Sequence, residues 1–179
     1  MGLVRTIAVG VIGLKLAVVS LGCAKNLVDT EIMLGQLHGV GWEVTNDFAA
    51  AELILVNTCG FITSAKTESL NNILELAEYK KPGRGVCRKL VVAGCLVQRY
   101  AAELAAQIPE VDCWVGQGEI NKISQIINDP LIKQADQLDQ QPFLNDEGLP
   151  RFQVTLDHTA YVKIAEGCNR SCTFCAIPA

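Results

Sequence analysis

The sequence lacks an excess of positive charge. Its 15 Lys and Arg residues stand against 19 Asp and Glu residues, which gives a formal net charge of −4. An acidic balance of this size offers nucleic-acid phosphates no electrostatic attraction. We therefore expect no nucleic-acid binding by this portion of the protein, although this does not exclude RNA binding by another portion.

The sequence also lacks a convincing membrane span or secretion signal. Its apolar first segment, residues 1–19, contains Arg5 and is interrupted by Lys15, so it is too broken for the ~20 apolar residues of a spanning helix. Ser20 lies three residues before Cys23, where a lipoprotein signal would carry a large aliphatic residue. We expect a cytoplasmic protein that does not bind membranes.

Cysteine, in contrast, is abundant, with eight residues in a chain of 179. The chain is too long, and its pattern too regular, for a disulfide-stapled mini-protein. Thiolates that serve as metal ligands in a reducing cytosol explain the cysteines better than disulfides do.

Short apolar runs alternate with amphipathic segments over most of the chain. The predicted strands are 15–22, 42–45, 52–58, 88–94 and 111–115. The predicted helices are 26–38, 63–81, 98–107 and 119–128. This alternation predicts an α/β fold with a five-stranded, doubly wound parallel sheet, for which 2-1-3-4-5 is a common strand order.

The composition divides the chain into four parts. Residues 1–14 are an unassigned extension, and residues 15–128 form the sheet domain. Residues 129–157 are rich in Gln, Asp and Pro without periodicity, which is typical of a linker. Residues 158–179 begin a second domain, with a strand predicted at 161–165.

Three cysteines follow directly after predicted strands. Cys23, Cys59 and Cys95 come after the first, third and fourth strands, which are neighbours in the expected order. Since neighbouring strands lie about 4.8 Å apart, the three strand ends span roughly 10 Å. Short loops could therefore bring three thiolates to one small cluster, although three unreactive thiols remain the alternative.

Two further cysteines have a different setting. Cys87 precedes the fourth strand, at the opposite edge of the sheet, and Cys113 lies inside the fifth strand. A buried free cysteine packs like a small apolar residue. We therefore expect neither of them to bind metal.

The last residues carry a C-x3-C-x2-C motif, formed by Cys168, Cys172 and Cys175. Three thiolates this close can hold three irons of a 4Fe–4S cluster and leave the fourth iron open to another ligand. A structural zinc site usually has four ligands, and His158 is poorly placed to be the fourth. Phe174 could belong to a core or could shield a bound ligand.

These motifs resemble a known family. The C-x3-C-x2-C spacing with an aromatic residue before its last cysteine is similar to that of the radical S-adenosylmethionine enzymes. The sheet domain carries LGCAKN (21–26), NTCGF (57–61) and AGC (93–95), and in these it resembles the methylthiotransferases. The resemblance covers the chain from Lys15 to its end.

Within that family, the sequence is most similar to the members that modify an aspartate of ribosomal protein S-twelve. The similarity lies in Ala24-Lys25, Gly60-Phe61-Ile62, residues 115–119 and residues 160–168. The tRNA-modifying members usually carry Gln-Met-Asn after the first cysteine and Ser or Ala after the second. Residues 1–14 match nothing in the family.

The resemblance implies a methylthiotransferase with two 4Fe–4S clusters and S-adenosylmethionine as cofactors. Cys168, Cys172 and Cys175 would hold the radical cluster, where S-adenosylmethionine binds beside Phe174. Reductive cleavage would yield a deoxyadenosyl radical that abstracts hydrogen from an unactivated carbon. The cluster held by Cys23, Cys59 and Cys95 would carry the sulfur that is inserted, and a second S-adenosylmethionine would supply the methyl group.

The implied partners are ribosomal protein S-twelve or the small ribosomal subunit, and a reductant such as flavodoxin or ferredoxin. A tRNA adenosine methylthiotransferase is one alternative. A zinc-binding or other metal-binding interaction module without catalysis is the alternative from another class. The family's barrel and TRAM domain would lie beyond Ala179, so we expect this portion alone to be inactive.

Other polar residues have structural explanations. Asn26 and Asp29 follow the first cysteine, and helix capping is the simplest role for them, although they or Lys25 could orient a substrate. Residues 116–119 read Gly-Gln-Gly-Glu, a strand-to-helix turn with an acid in the first helical turn that requires no ligand. His38, near the end of a helix, is expected to have a surface role favoured by the helix dipole.

Overall fold

The computed structural model describes residues 13–128, 138 and 148–175. Within them the strands are β1 (Leu14–Ser20), β2 (Trp42–Val44), β3 (Leu53–Thr58), β4 (Lys89–Gly94) and β5 (Cys113–Val115). All pairings between them are parallel, and the sheet has the order β2-β1-β3-β4-β5. The predicted fold class and strand order are therefore confirmed.

The helices are α1 (Ala24–Gly39), α2 (Thr63–Ala77), α3 (Cys95–Gln107) and α4 (Ile123–Asn128). Two of the predicted helices are partly 3₁₀. A 3₁₀ turn at Glu78–Lys80 continues α2, and a 3₁₀ segment at Gln117–Lys122 precedes α4. Helix α3 begins at Cys95, three residues before its predicted start, and bends at Tyr100. No helix in the described ranges is both long and apolar enough to cross a membrane.

The central strand β3 shows why these apolar runs become strands. All of its residues are buried, and successive side chains of a strand point to opposite faces of the sheet. Leu53 and Leu55 belong to the core under α1 and α4, whereas Ile54 and Val56 belong to the core under α2 and α3. Burial on both faces requires a continuous apolar run, which is the pattern from which β3 was predicted.

The turn from β4 into α3 depends on Gly94. Its φ is +102° and its ψ −160°, a backbone region that is essentially restricted to glycine. A Cβ atom at this position would lie 2.3 Å from Asn57 Oδ1 and 2.5 Å from the carbonyl oxygen of Thr58. The end of β4 therefore packs directly against the end of β3, with no space for a side chain between them.

Some expectations about the ends of the chain need correction or lie outside the described residues. The predicted strand at 161–165 is not formed, because a strand needs a hydrogen-bonded neighbour and no described residue pairs with this segment. Strand β1 begins at Leu14, inside the predicted extension. Residues 1–12, most of the predicted linker and residues 176–179 lie outside the described residues.

The C-terminal part of the predicted linker docks on α1. Glu31 of α1 is fully buried, and its carboxylate accepts hydrogen bonds from Arg151 Nε at 2.7 Å and from the backbone N–H of Val154 at 2.9 Å. Phe152 donates its backbone N–H to the carbonyl oxygen of Glu31 at 2.9 Å. Gly35 makes room for this contact, since a Cβ there would lie 2.3 Å from the carbonyl oxygen of Pro150.

Four alternating charges join α1 to the residues before the C-x3-C-x2-C motif. Lys25 Nζ lies 2.8 Å from an oxygen of Asp29 and 2.8 Å from an oxygen of Glu166. Lys163 Nζ lies 2.8 Å from the other oxygen of Asp29 and 2.9 Å from the other oxygen of Glu166. We call these four residues the charge ring. Burial alone would lower the pKa of Lys25, but the carboxylates of Asp29 and Glu166 outweigh it and raise that pKa.

The charge ring is almost completely buried from solvent. The side chains of Asp29, Lys163 and Glu166 are 1%, 3% and 7% exposed, and only Lys25, at 24%, reaches solvent. Removing one partner from such a group leaves an uncompensated buried charge. The ring therefore fixes residues 163–166 on α1 more firmly than surface ion pairs could.

We predict that Gly94→Ala strongly destabilises the chain. The substitution combines a backbone conformation that costs about 1–3 kcal/mol for other residues with overlap against two polar atoms. Gly83→Ala is the matched control, because Gly83 has φ +82° but no atom within 4 Å of an added Cβ. Urea unfolding should show a larger loss of unfolding free energy for Gly94→Ala, and equal losses would contradict this account.

We predict that Lys163→Met releases the docked segment and leaves the sheet folded. Loss of this cation leaves Asp29 and Glu166 to share Lys25, and breaking a buried pair costs about 3–5 kcal/mol. Chymotrypsin cleavage after Tyr161 should accelerate while the urea midpoint of the sheet stays close to wild type. Arg170→Met, which removes an exposed cation nearby, should leave the cleavage rate unchanged. Equal cleavage of both variants would show that the ring does not hold the segment.

Candidate functional site

Three cysteines lie at the carboxyl ends of three adjacent strands. Cys23 is the N-cap residue of α1, Cys59 directly follows β3, and Cys95 is the first residue of α3. The register pairs Ser20 with Asn57 and Asn57 with Ala93, so the three strands end at the same level. The sequence analysis predicted this arrangement from the strand ends alone. We call Cys23, Cys59 and Cys95 the strand-end triad.

Two glycines let the three loops approach each other. Gly22 has φ +94°, and a Cβ there would lie 2.8 Å from the Cβ and 3.2 Å from the Sγ of Cys59. A Cβ on Gly60 would lie 2.9 Å from the carbonyl oxygen of Cys95. The loop of Cys23 therefore packs on Cys59, and the loop of Cys59 packs on Cys95.

Asn26 ties the three strand ends together, which corrects the capping role expected for it. It is 1% exposed, and its Nδ2 donates to the carbonyl oxygens of Leu21 at 3.0 Å and Thr58 at 2.8 Å. Its Oδ1 accepts a weak hydrogen bond from Cys95 Sγ at 3.5 Å. Helix α1 has no side-chain cap. Capping was wrong for Asp29 too, since its carboxylate belongs to the charge ring.

Gln117 is the polar neighbour of the triad that the sequence analysis missed. Its Nε2 donates a hydrogen bond to Cys95 Sγ at 3.1 Å. The turn that carries it, residues 116–119, was predicted to need no ligand. Glu119 has the predicted structural role there, since its carboxylate accepts the backbone N–H of Gly116 at 3.0 Å. The available signal was a polar side chain two residues after β5.

The surroundings of Cys95 act on its thiol in opposite directions. Burial raises the pKa of the Cys95 thiol, and the thiols of Cys59 and Cys23 raise it further, whereas Lys25 acts in the opposite direction. Cys23 is exposed, and Cys59 and Cys95 are half-buried. The triad is thus open to solvent on one side and backed by the sheet on the other.

The donor chemistry of the triad fits an iron–sulfur cluster. Cys23, Cys59 and Cys95 supply three thiols from adjacent loops, and thiolates are the usual ligands of such a cluster. Gly22 and Gly60 keep side chains out of the space where these loops meet. Among the residues that the structure describes, no three His, Cys, Asp or Glu side chains form a compact site for a single metal ion.

The remaining sheet-domain cysteines are in the cores, as predicted. Cys113 lies in β5 and is 1% exposed, and burial raises the pKa of its thiol to about 11. Cys87 is also buried, and burial raises its pKa as well. Neither lies at the strand ends that carry the triad.

The second cysteine group lies outside the sheet. Cys168 and Cys172 are exposed and Cys175 is half-buried. The backbone N–H of Cys175 donates to the carbonyl oxygen of Cys172 at 3.1 Å, which closes a turn. Phe174 is 91% exposed, so it is not part of a core formed by the described residues. We call Cys168, Cys172 and Cys175 the loop triad.

The charge ring connects the two triads. Lys25 lies two residues after Cys23, and Glu166 lies two residues before Cys168. The ion pair between Lys25 and Glu166 therefore brings the first cysteine of each triad to the same region of α1. A cavity of about 230 Å³ lies beside the ring, lined by α1 and by residues 161–165. Lys163 and Glu166 were not predicted as part of a buried ion-pair group. Their only signal in the sequence was a pair of charges on either side of a short apolar run.

The sheet domain matches a known family. The model of the uncharacterized protein family UPF0004 matches residues 15–116, the part that contains the strand-end triad. That match covers the larger part of the chain and includes all five strands except the first residue of β1.

Several curated proteins named ribosomal protein uS12 methylthiotransferase RimO are similar to the chain. The protein from Heliobacterium modesticaldum is 50% identical over 169 residues, which is 94% of this chain and 36% of that protein. The protein from Anaeromyxobacter sp. strain K is 51% identical over 159 residues, or 89% of this chain and 33% of that protein. The protein from Clostridioides difficile strain 630 is 48% identical over 166 residues, or 92% of this chain and 37% of that protein.

The chain thus spans about a third of the length of the curated relatives it matches. Its fold, the matched residues 15–116 and the identity of about half to these relatives all agree with the predicted family. The chain belongs to the uncharacterized protein family UPF0004, the N-terminal domain of the methylthiotransferases.

Proposed function

We propose that this chain is the cluster-binding part of a methylthiotransferase that adds a methylthio group to ribosomal protein uS12 by radical S-adenosylmethionine chemistry. The observation that supports it is the pairing of two cysteine triads across one buried charge ring. A sulfur-donating centre and a radical-forming centre must act on the same carbon, so they have to be held near each other. A zinc-binding interaction module would not require two open triads joined in this way.

The strand-end triad would hold the first 4Fe–4S cluster. Cys23, Cys59 and Cys95 supply three thiolates, and Gly22 and Gly60 keep the surrounding backbone free of side chains. The sheet and Asn26 hold the three loops in place, so binding requires little reorganisation. The exposed side, at Cys23, would leave one corner of the cluster open to the sulfur that is transferred.

The loop triad would hold the second 4Fe–4S cluster, which when bound with S-adenosylmethionine supplies a carbon-centred radical. Cys168, Cys172 and Cys175 provide its three thiolates. The exposed ring of Phe174, adjacent to Cys175, would cover the bound cofactor from water. The ion pairs of Lys163 and Glu166 hold the beginning of this loop on α1.

A protein substrate is favoured over tRNA. The relatives that match over most of this chain are named for uS12, and the net charge of −4 gives no electrostatic attraction for tRNA phosphates. We propose a cytoplasmic protein whose partners are uS12 or the small ribosomal subunit. A low-potential reductant such as flavodoxin or ferredoxin would supply the electron.

We predict that anaerobic reconstitution of this chain with iron and sulfide yields about eight irons per chain, as two 4Fe–4S clusters. Cys172→Ala and Cys59→Ala should each lower the count to about four, because each variant leaves the other triad intact. Cys113→Ala, which removes a buried cysteine outside both triads, is the matched control and should retain eight. Zinc without acid-labile sulfide would overturn the proposal and favour the interaction module.

The substrate is tested in a polypeptide that carries this sequence and spans the full length of the curated relatives. With S-adenosylmethionine and a reductant, we predict a methylthio mass increase on an aspartate of a uS12 peptide and none on tRNA. The variants Cys59→Ala and Cys172→Ala should abolish that increase, while Cys113→Ala should retain it. Modification of tRNA but not of the peptide would replace the proposed substrate with the tRNA alternative.

A further inference from the structure

Gln117 is aimed at the sulfur of one proposed cluster ligand. Its Nε2 lies 3.1 Å from Cys95 Sγ, within the range for a hydrogen bond to sulfur. It is the first residue of the 3₁₀ turn after β5. The contact joins the fifth strand to the strand-end triad, although β5 itself contributes no cysteine to that triad.

Hydrogen bonds hold the turn that carries Gln117 in place. The backbone N–H of Gln117 donates to Gln98 Oε1 at 2.8 Å, and Glu119 accepts the backbone N–H of Gly116 at 3.0 Å. A Cβ on Gly116 would lie 2.5 Å from Gln98 Oε1. Helix α3, which begins at Cys95, therefore also holds the backbone from which Gln117 reaches back to that sulfur.

Asn26, a second described polar neighbour of this sulfur, cannot take over the donor role. Asn26 presents its oxygen to Cys95, at 3.5 Å, because both protons of its amide nitrogen serve the carbonyl oxygens of Leu21 and Thr58. A thiolate bound to iron has no proton and can only accept hydrogen bonds. Asn26 Oδ1 therefore disfavours negative charge on the sulfur, and the N–H of Gln117 offsets it.

We propose that Gln117 is a positioning residue that raises the reduction potential of the strand-end cluster. The inference rests on the proposed function, since it requires a cluster at that triad. Reduction adds negative charge to the cluster and its cysteine sulfurs, and a donated N–H stabilises that charge. Hydrogen bonds to the sulfurs are among the factors that set the potential of iron–sulfur clusters.

The experiment measures the potential of this cluster alone. Replacing Cys168, Cys172 and Cys175 with Ala in every variant removes the second cluster. Midpoint potentials are then measured by redox titrations that are monitored by electron paramagnetic resonance. The proteins compared are the one that keeps Gln117 and the variants Gln117→Leu and Gln117→Glu. The control Gln107→Leu makes the same chemical change at an exposed position on α3.

In Gln117→Leu we expect the equilibrium constant for one-electron reduction of the cluster to fall about tenfold. This corresponds to a shift of the midpoint potential by about 59 mV to more negative values. Gln117→Glu keeps the shape of the side chain but adds a negative charge, so its potential should be lower still. Because that charge lowers the potential with or without a hydrogen bond, the neutral variant Gln117→Leu carries the test. The control Gln107→Leu should have the same potential as the protein with Gln117.

The failures of the two proposals are distinguishable. If the cluster assembles and Gln117→Leu has the potential of the control, the inference is overturned and the proposed function stands. If no cluster assembles at the strand-end triad even with Gln117 present, the proposed function fails and the inference fails with it. Should Gln117→Leu lose iron, the neutral variant Gln117→Met decides the outcome by the same comparison.

Discussion

The burial of two carboxylates on α1 is the constraint on which the rest of the arrangement depends. Asp29 is 1% exposed and Glu31 is fully buried, and isolated charges cannot remain ionised in such surroundings without partners. Their partners are Lys25, Lys163 and Arg151, two of which come from beyond the sheet domain. The folded sheet therefore leaves α1 incomplete until the later segment docks on it.

A second constraint lies at the strand ends, where backbone meets backbone. Gly22 and Gly60 each face a neighbouring loop, and Gly94 faces the end of β3, at distances that exclude a side chain. In a parallel sheet these ends are also where loops from adjacent strands gather. The close approach explains why cysteines separated by 36 residues in each interval (23 to 59, and 59 to 95) occupy one small region.

Much of the fold could be predicted from the sequence because its signals are local. The apolar run of β3 reflects burial on both faces, and the position of Cys59 at its end is readable without coordinates. The common strand order then placed three cysteines together. The exact ends were less predictable, as at the 3₁₀ turns after α2 and before α4, because tertiary contacts decide them.

The contacts that connect distant segments could not be predicted in this way. Lys163 and Asp29 are 134 residues apart, and Gln117 and Cys95 are 22 apart, so no periodicity relates them. The strand predicted at 161–165 was wrong for a related reason, since its apolar residues suit a strand but no described neighbour pairs with them. Asn26 and Asp29 were assigned to capping, which is a local role, when their partners are remote.

The charge ring has a consequence for the field at the strand ends. Two cations and two anions alternate in it, so their sum is zero, and the potential of such a group falls off with distance much faster than that of a single charge. The ring can therefore hold the docked segment without imposing a net charge on the sulfurs beside it. Because it is almost closed to water, dissolved salt screens it little, and the attachment should keep its strength across the range of ionic strengths found in cells.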